Sequence, residues 1–215
     1  MARFIEVSHP IETGMQTYPG LPAPASSVLL DYDASRAHYS GESEFFIASL
    51  HLCGNTGTYV DAPIHRFRGA ADLAALPLDR LAHLRAVVVH AREHRIGPDV
   101  FHGRNLRDSA VLVRTDRSRH WRTSRYFDPH PFLTAEACDY LVNAGVVFVG
   151  IDSLNIDDTD DPARPAHTKL LGAGIPVCEH MTNLDAVPID GGYLHAVPIA
   201  WKGGASFPVR AYVIV

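Results

Sequence analysis

The segment Asn55-Thr-Gly-Thr-Tyr59-Val-Asp61-Ala-Pro-Ile-His65 gathers an amide, a phenol, a carboxylate and an imidazole into eleven residues. A carboxylate and an imidazole four positions apart can exchange protons near neutral pH or share a cation. Each residue also has an ordinary structural reading. Asp61, between Thr-Gly-Thr and Ala62-Pro63, can satisfy turn N–H groups. His65, two residues past Pro63, can be structural, and Tyr59 beside Val60 can be a core tyrosine with its hydroxyl satisfied. Other chemistries lack their motifs: there is no P-loop, no dinucleotide G-x-G-x-x-G and no G-x-S-x-G elbow. His90 and His94 are four apart, but no H-E-x-x-H surrounds them. Cys53 and Cys178 flank the motif segments without an evident activating partner.

The segment resembles the signature H-x-G-T-H-x-D-A-P-x-H of the bacterial kynurenine formamidase, or cyclase, family of metal hydrolases. Further stretches resemble the family in the same order: Ile5-Glu-Val-Ser-His-Pro-Ile11 with Tyr18-Pro-Gly20, then Val147-Phe-Val-Gly-Ile-Asp-Ser153. After them come His167 through Glu179, Asn183-Leu184 and Pro208-Val-Arg210. The resemblance spans nearly the whole chain. It implies a swivelling β/β/α fold and a homodimer or dimer of dimers with the pocket near a subunit interface. It also implies metal ligands at Asp61, His167 and Glu179, and an acid/base at His65. Two positions depart from the pattern: Asn55 and Tyr59 stand where the family places metal-binding histidines.

That departure changes the expected donor set. Asp61, His167 and Glu179 supply two carboxylates and one imidazole, a reasonable site for one divalent metal. Asn55 can add an amide oxygen and Tyr59 a phenol oxygen, both poorer ligands for Zn²⁺ than imidazole. Mn²⁺ and Mg²⁺ therefore join Zn²⁺ as candidates, and a metal-free protein is the alternative. The expected function is hydrolysis of an amide, lactam or lactone in a small, aromatic molecule, with His65 passing the proton. One alternative is a metal-independent cyclase or dehydratase of specialised metabolism that uses Tyr59, Asp61 and His65 as acid and base. Another is a binding relative without catalysis. Trp121 and Trp201 are large enough to wall an apolar pocket, though core placement is the commoner fate.

The elements that must position these groups read as an α+β, or mixed α/β, single domain over 1–215, strand-rich with a few short helices. Strands are predicted at Phe4–Val7, Ser27–Tyr32, Glu44–Leu52, Arg85–His90, Ala110–Arg114, Val146–Ile151 and Val209–Val215. The 146–151 run is continuously apolar, as in a strand buried on both faces. Helices are predicted at Leu78–Leu84, Thr134–Asn143 and Ala166–Gly172, the second capped by Thr134 and stopped by Gly145.

Composition bounds the partners. With 19 basic against 24 acidic residues the net charge is −5, which argues against nucleic acid or an anionic membrane surface. No apolar run reaches the roughly 18 residues of a membrane span. Three scattered cysteines and an N-terminus without a signal-like apolar region point to the cytoplasm. Only Lys169 and Lys202 are lysines, so arginine carries the basic charge.

Overall fold

The apolar runs near residues 85–90 and 110–114 become neighbouring parallel strands at the centre of one sheet. The structure is a computed structural model that describes residues 2–215. Its strands are β1 (Phe4–Glu6), β2 (Ala25–Leu30), β3 (Ile47–His51), β4 (Tyr59–Asp61), β5 (Leu84–His90), β6 (Arg95–Ile96) and β7 (Ser109–Arg114). They continue with β8 (Phe132–Leu133), β9 (Phe148–Ile151), β10 (Val177–Glu179), β11 (Gly192–His195), β12 (Ser206–Pro208) and β13 (Tyr212–Ile214). The helices are α1 (Tyr32–His38), α2 (Ala135–Asn143) and α3 (Pro165–Gly172).

Nine strands form the main sheet in the order β1-β13-β11-β5-β7-β9-β10-β4-β12. The pairs β5–β7, β7–β9 and β9–β10 are parallel, and the flanking pairs are antiparallel. Parallel neighbours need a crossover, and α2 and α3 supply those between β7 and β9 and between β9 and β10. The class is the expected mixed α+β.

Side chains alternate across the central strands and feed two cores. Ala86, Val88, Ala110, Leu112, Phe148 and Cys178 face one, with Leu73, Leu81 and Leu184. Val87, Val89, Val111, Val113, Val149, Ile151 and Val177 face the other, under Leu141 of α2 and Leu170 and Leu171 of α3. A buried aliphatic side chain contributes about 1.5–3 kcal/mol. Burial on both faces therefore outweighs the strand-propensity differences, which span only about 1 kcal/mol.

Helix α2 is built as its sequence predicts. The Thr134 hydroxyl accepts from the Ala137 N–H at 3.3 Å, and Gly145 takes φ 75° just past the end. Other expectations are corrected. Of Leu78–Leu84 only Leu78–Arg80 forms a 3₁₀ turn, because His83 adopts φ 56° and Leu84 already belongs to β5. The strand read to Tyr32 ends at Leu30. There Asp31 caps the unforeseen helix α1, accepting from the Ala34 N–H at 2.8 Å. Glu44–Leu52 narrows to β3, which pairs only with β2 in a separate ribbon. The terminal strand shortens to β13, and β11 and β12 were not foreseen.

Candidate active site

Register explains how the chemical groups meet. On β10, β4 and β12, Glu179 lies opposite Tyr59 and Tyr59 opposite Pro208, while Val177, Asp61 and Ser206 form the next row. Residues directly opposite share a face of the sheet. Tyr59, Asp61, Glu179 and Ser206 therefore all face α3, and Val60 and Cys178 face the opposite core. Burial pushes the Cys178 thiol well above its usual range, which removes it as a nucleophile.

The Thr56-Gly57-Thr58 turn sets the entry to β4. Gly57 adopts φ 64° and donates its N–H to Thr17 Oγ1 at 3.0 Å. Thr56 Oγ1 donates to the Cys53 carbonyl at 2.6 Å, and Thr58 Oγ1 to the His180 carbonyl at 2.5 Å. Pro63 then opens a 3₁₀ turn that ends at His65.

His167 comes from the first turn of α3. Its Nδ1–H donates to Asp157 Oδ2 at 2.6 Å, and Asp157 also accepts the backbone N–H groups of Ala166 and His167. The Nε2 face of the ring is thereby aimed at Asp61 Oδ2 (3.6 Å) and Glu179 Oε1 (3.7 Å). Burial disfavours charge on this imidazole, but the neighbouring carboxylates outweigh it and raise its pKa to about 10. Glu179 is fully buried, and burial together with the Asp61 charge pushes its carboxyl up to about 7. It accepts from the Tyr59 phenol on Oε2 and from the Ile156 N–H on Oε1 at 2.6 Å.

Tyr59 is 2% exposed. Burial and the nearby carboxylates of Glu179 and Asp61 push its pKa far up, so it is a neutral phenol and a donor. Asn55 lies beside this phenol. Ser206 Oγ donates to Asp61 Oδ1 and sits 3.2 Å from His65 Nδ1, which is itself 3.8 Å from Asp61 Oδ1. His65 is the exposed member, with a third of its side chain open to solvent.

Asn55, Tyr59, His65, His167 and Glu179 line a pocket of about 450 Å³, with Asp61 buried behind them. Tyr18, Pro19 and Leu21 supply its apolar wall, and Arg66, Arg164 and Asn155 its polar side. Neither Trp121 nor Trp201 lines it: Trp121 stacks on His9 at 4.1 Å, and Trp201 packs edge-on against Phe207.

The donor set fits a divalent cation. Asp61 Oδ2 is buried without a hydrogen-bond partner and faces His167 Nε2, whose other nitrogen is held by a carboxylate. Ligand atoms of Asp61, His65 and His167 lie within 4.8 Å of one another. Glu179 Oε1 approaches the same His167 nitrogen, so the expected Asp61–His167–Glu179 set and the Asp61–His65–His167 cluster overlap in two residues.

The sequence alone does not single out Asp157, Asn155, Ser206, Arg66 or Arg164. Asp157 lies ten positions before its partner His167, and Ser206 lies 145 beyond Asp61, so no local spacing signals either pair.

Comparison with known proteins gives the family and the fold. The Cyclase family, described as "Putative cyclase", matches residues 5–158. A kynurenine formamidase of Bacillus cytotoxicus is 30% identical over 215 residues, covering 99% of this chain and 97% of its own. That of Bacillus mycoides is 28% identical over 214 residues, with the same coverage. Isatin hydrolase A from Labrenzia aggregata, bound to benzyl benzoate, superposes over the whole chain and 94% of its own with a TM-score of 0.83 at 22% identity. An isatin hydrolase bound to the product analogue thioisatinate covers the whole chain and 92% of its own, with a TM-score of 0.84 at 20% identity. This chain belongs to the cyclase family and is one of its hydrolases.

Proposed function

We propose that the protein hydrolyses an amide C–N bond, acyclic or in a lactam, on a small aromatic molecule. The observation that carries this reading is that His65, His167 and Glu179 line one pocket while the buried Asp61 approaches both imidazoles from behind them. Relatives named kynurenine formamidase and isatin hydrolase act on bonds of this class.

Asp61 Oδ2, His167 Nε2 and Glu179 Oε1 would hold one divalent cation, with Mn²⁺, Zn²⁺ and Mg²⁺ as candidates. Such a cation polarises a carbonyl and makes water acidic enough to act as a nucleophile near neutral pH. Asp157 fixes the His167 ring and its tautomer. His65, the most exposed of the four and oriented by Ser206, takes the proton from the attacking water and delivers it to the leaving nitrogen. Tyr59 is committed to Glu179, so we read it as a positioning residue and not as an acid toward substrate. Asn55 supports that phenol and is not placed among the ligands.

The test is direct. Elemental analysis should find at most one divalent ion per chain, and His65→Ala should lower kcat on formanilides by roughly 10²–10⁴-fold with an unchanged melting temperature. Two ions per chain would make Asn55 and Tyr59 ligands. None, with turnover indifferent to chelator, would favour the metal-free cyclase or lyase alternative.

A second copy of the chain is the partner we propose. Val28, Leu29, Phe45, Phe46, Ile47 and Leu50 on and beside the β2–β3 ribbon are each at least half exposed, a patch that soluble monomers rarely leave bare. Light scattering should report a dimer or tetramer that Phe46→Glu weakens. A monomer at all concentrations would sink this. All three cysteines are free, which supports a cytoplasmic setting. No helix among the described residues is long and apolar enough to cross a membrane.

A further inference from the structure

Away from the pocket, the main sheet brings together another pair of imidazoles. On β11, His195 lies opposite Tyr212 of β13. On its other side Leu194 pairs with Leu84, so His83, the residue before β5, comes alongside His195. The two residues are remote in sequence, yet their ring centres are 6.0 Å apart. A tyrosine braces each ring: His83 stacks on Tyr193 at 4.3 Å and His195 on Tyr212 at 5.0 Å. His195 Nε2 is buried and has no hydrogen-bond partner. Burial and the neighbouring His83 lower the His195 pKa, so the ring is neutral near pH 7, the form that binds a metal.

Separation and the orphaned nitrogen together set this pair apart. With Zn²⁺–N bonds of about 2.0–2.1 Å, two imidazoles that share one ion have ring centres roughly 4.5–6.4 Å apart. Among the described residues two pairs fall in that range: His65 with His167 at 5.6 Å, at the pocket, and His83 with His195. An orphaned ligand atom accompanies each pair, Asp61 Oδ2 the first and His195 Nε2 the second. His9 Nε2 and His180 Nε2 are orphaned too, but neither ring has another imidazole in range. A buried polar atom without a partner is costly, and an ion would supply the missing partner. His83 is exposed, which gives an ion a path in.

We infer that His83 and His195 form a metal site separate from the pocket, a two-imidazole clip for a late first-row divalent ion whose remaining positions water fills. The donor set chooses the ion. The acid in the same row of the sheet, Glu6 opposite Tyr212, is taken by Arg210 in two hydrogen bonds of 3.0 Å. The clip is therefore all nitrogen, which favours Cu²⁺, then Ni²⁺ and Zn²⁺, and leaves Mg²⁺ unbound. Four strand spacings, about 19 Å along the sheet, separate β11 from β10, so the clip shares no ligand with the pocket and does not depend on the hydrolase reading. Two imidazoles without a carboxylate hold an ion loosely enough to exchange on dialysis, so the clip adds nothing to the ion count of the dialysed protein.

The experiment titrates the dialysed protein with Cu²⁺, Ni²⁺ and Mg²⁺ by calorimetry, in wild type, His83→Asn, His195→Asn, the double variant and His38→Asn. Asparagine tolerates the φ of 56° at residue 83, and the melting temperature of the exposed His83→Asn should match wild type, which separates lost binding from lost fold. His38 is an exposed histidine with no second imidazole in range and serves as the control. Uptake at the pocket is common to all five proteins and cancels in the comparison. Wild type should take up one exchangeable Cu²⁺, and Ni²⁺ more weakly, that each single clip variant loses or binds at least about tenfold more weakly, with no uptake of Mg²⁺. The double variant should lose no more than either single, because one imidazole alone does not clip an ion. Equal uptake in wild type and both single variants overturns the clip. So does a loss confined to His195→Asn, which would leave one imidazole as the whole site. A loss as large in His38→Asn also overturns it, since exposed histidines in general would then be the binders.

Discussion

Tyr59 shows how one substitution can reassign a neighbourhood. A phenol cannot be the imidazole that the related signature has there, but its hydroxyl gives buried Glu179 a donor. Tyr59→Phe would leave Glu179 Oε2 with only Asn155 Nδ2 at 3.5 Å. We expect a loss of about 1–3 kcal/mol, read as a melting temperature lower by roughly 3–10 °C. An unaltered melt would mean that this hydrogen bond adds nothing to stability. The paired change Asn55→His with Tyr59→His restores the related signature, with both positions lining the pocket and residue 59 on the same sheet face as Asp61. Zinc affinity by calorimetry should then rise by several orders of magnitude, because imidazole suits Zn²⁺ far better than an amide or a phenol. No gain would mean that the backbone from 55 to 61 has diverged along with its side chains.

Helix α3 is eight residues long and depends on a carboxylate outside it. Asp157 accepts from the N–H groups of Ala166 and His167 and from His167 Nδ1, so one side chain caps the helix and orients the His167 ring. Asp157→Asn keeps the shape but loses the charge. We expect metal affinity to fall about 10–100-fold and stability to fall by about 1–2 kcal/mol. Calorimetric titration with Mn²⁺ or Zn²⁺ beside a thermal melt separates the two effects. Equal metal affinity would reduce Asp157 to a helix cap. The element expectations held where burial enforced them, as at 134–143 and 148–151. They failed at 32–38, where a capping aspartate started a surface helix that the apolar pattern does not mark.

At the scale of the whole molecule, burial also sets acid tolerance. His9 stacks on Trp121 at 4.1 Å, its Nε2 is buried without a partner, and burial lowers its pKa from 6.5 to about 4. His180, fully buried beside Tyr126, is lowered to about 3 by the same cause. Above pH 6.5 these histidines are neutral folded or unfolded, and their share of stability is intact. Below it the unfolded chain takes up protons that the folded chain refuses. Stability is then lost as pH falls toward 4, by up to about 1.4 kcal/mol per unit for each histidine. His9→Phe keeps an aromatic face on Trp121 and removes one of these losses. Its melting temperature should fall less steeply than that of the parent between pH 6.5 and 4, and parallel curves would remove His9 from the account.

Much of the candidate site is legible in the residues alone. A short motif and the order of weaker ones single out Asp61, His65, His167 and Glu179, and the fold brings these four together. Short-range chemistry of that kind survives in sequence because turns, caps and strand alternation are local. The sheet order was not legible, nor was the pairing of Ser206 with Asp61 across 145 positions, because register between distant strands follows from which faces bury together. The exposure of the β2–β3 ribbon was hidden for the same reason, since an apolar run reads alike whether it enters a core or stands outside one. Tertiary structure also decided the charges. His167 is raised and Glu179 pushed up only because folding brings three carboxylates around one imidazole away from water. The types of group available for chemistry belong to the sequence, whereas their ionisation and aim belong to the fold.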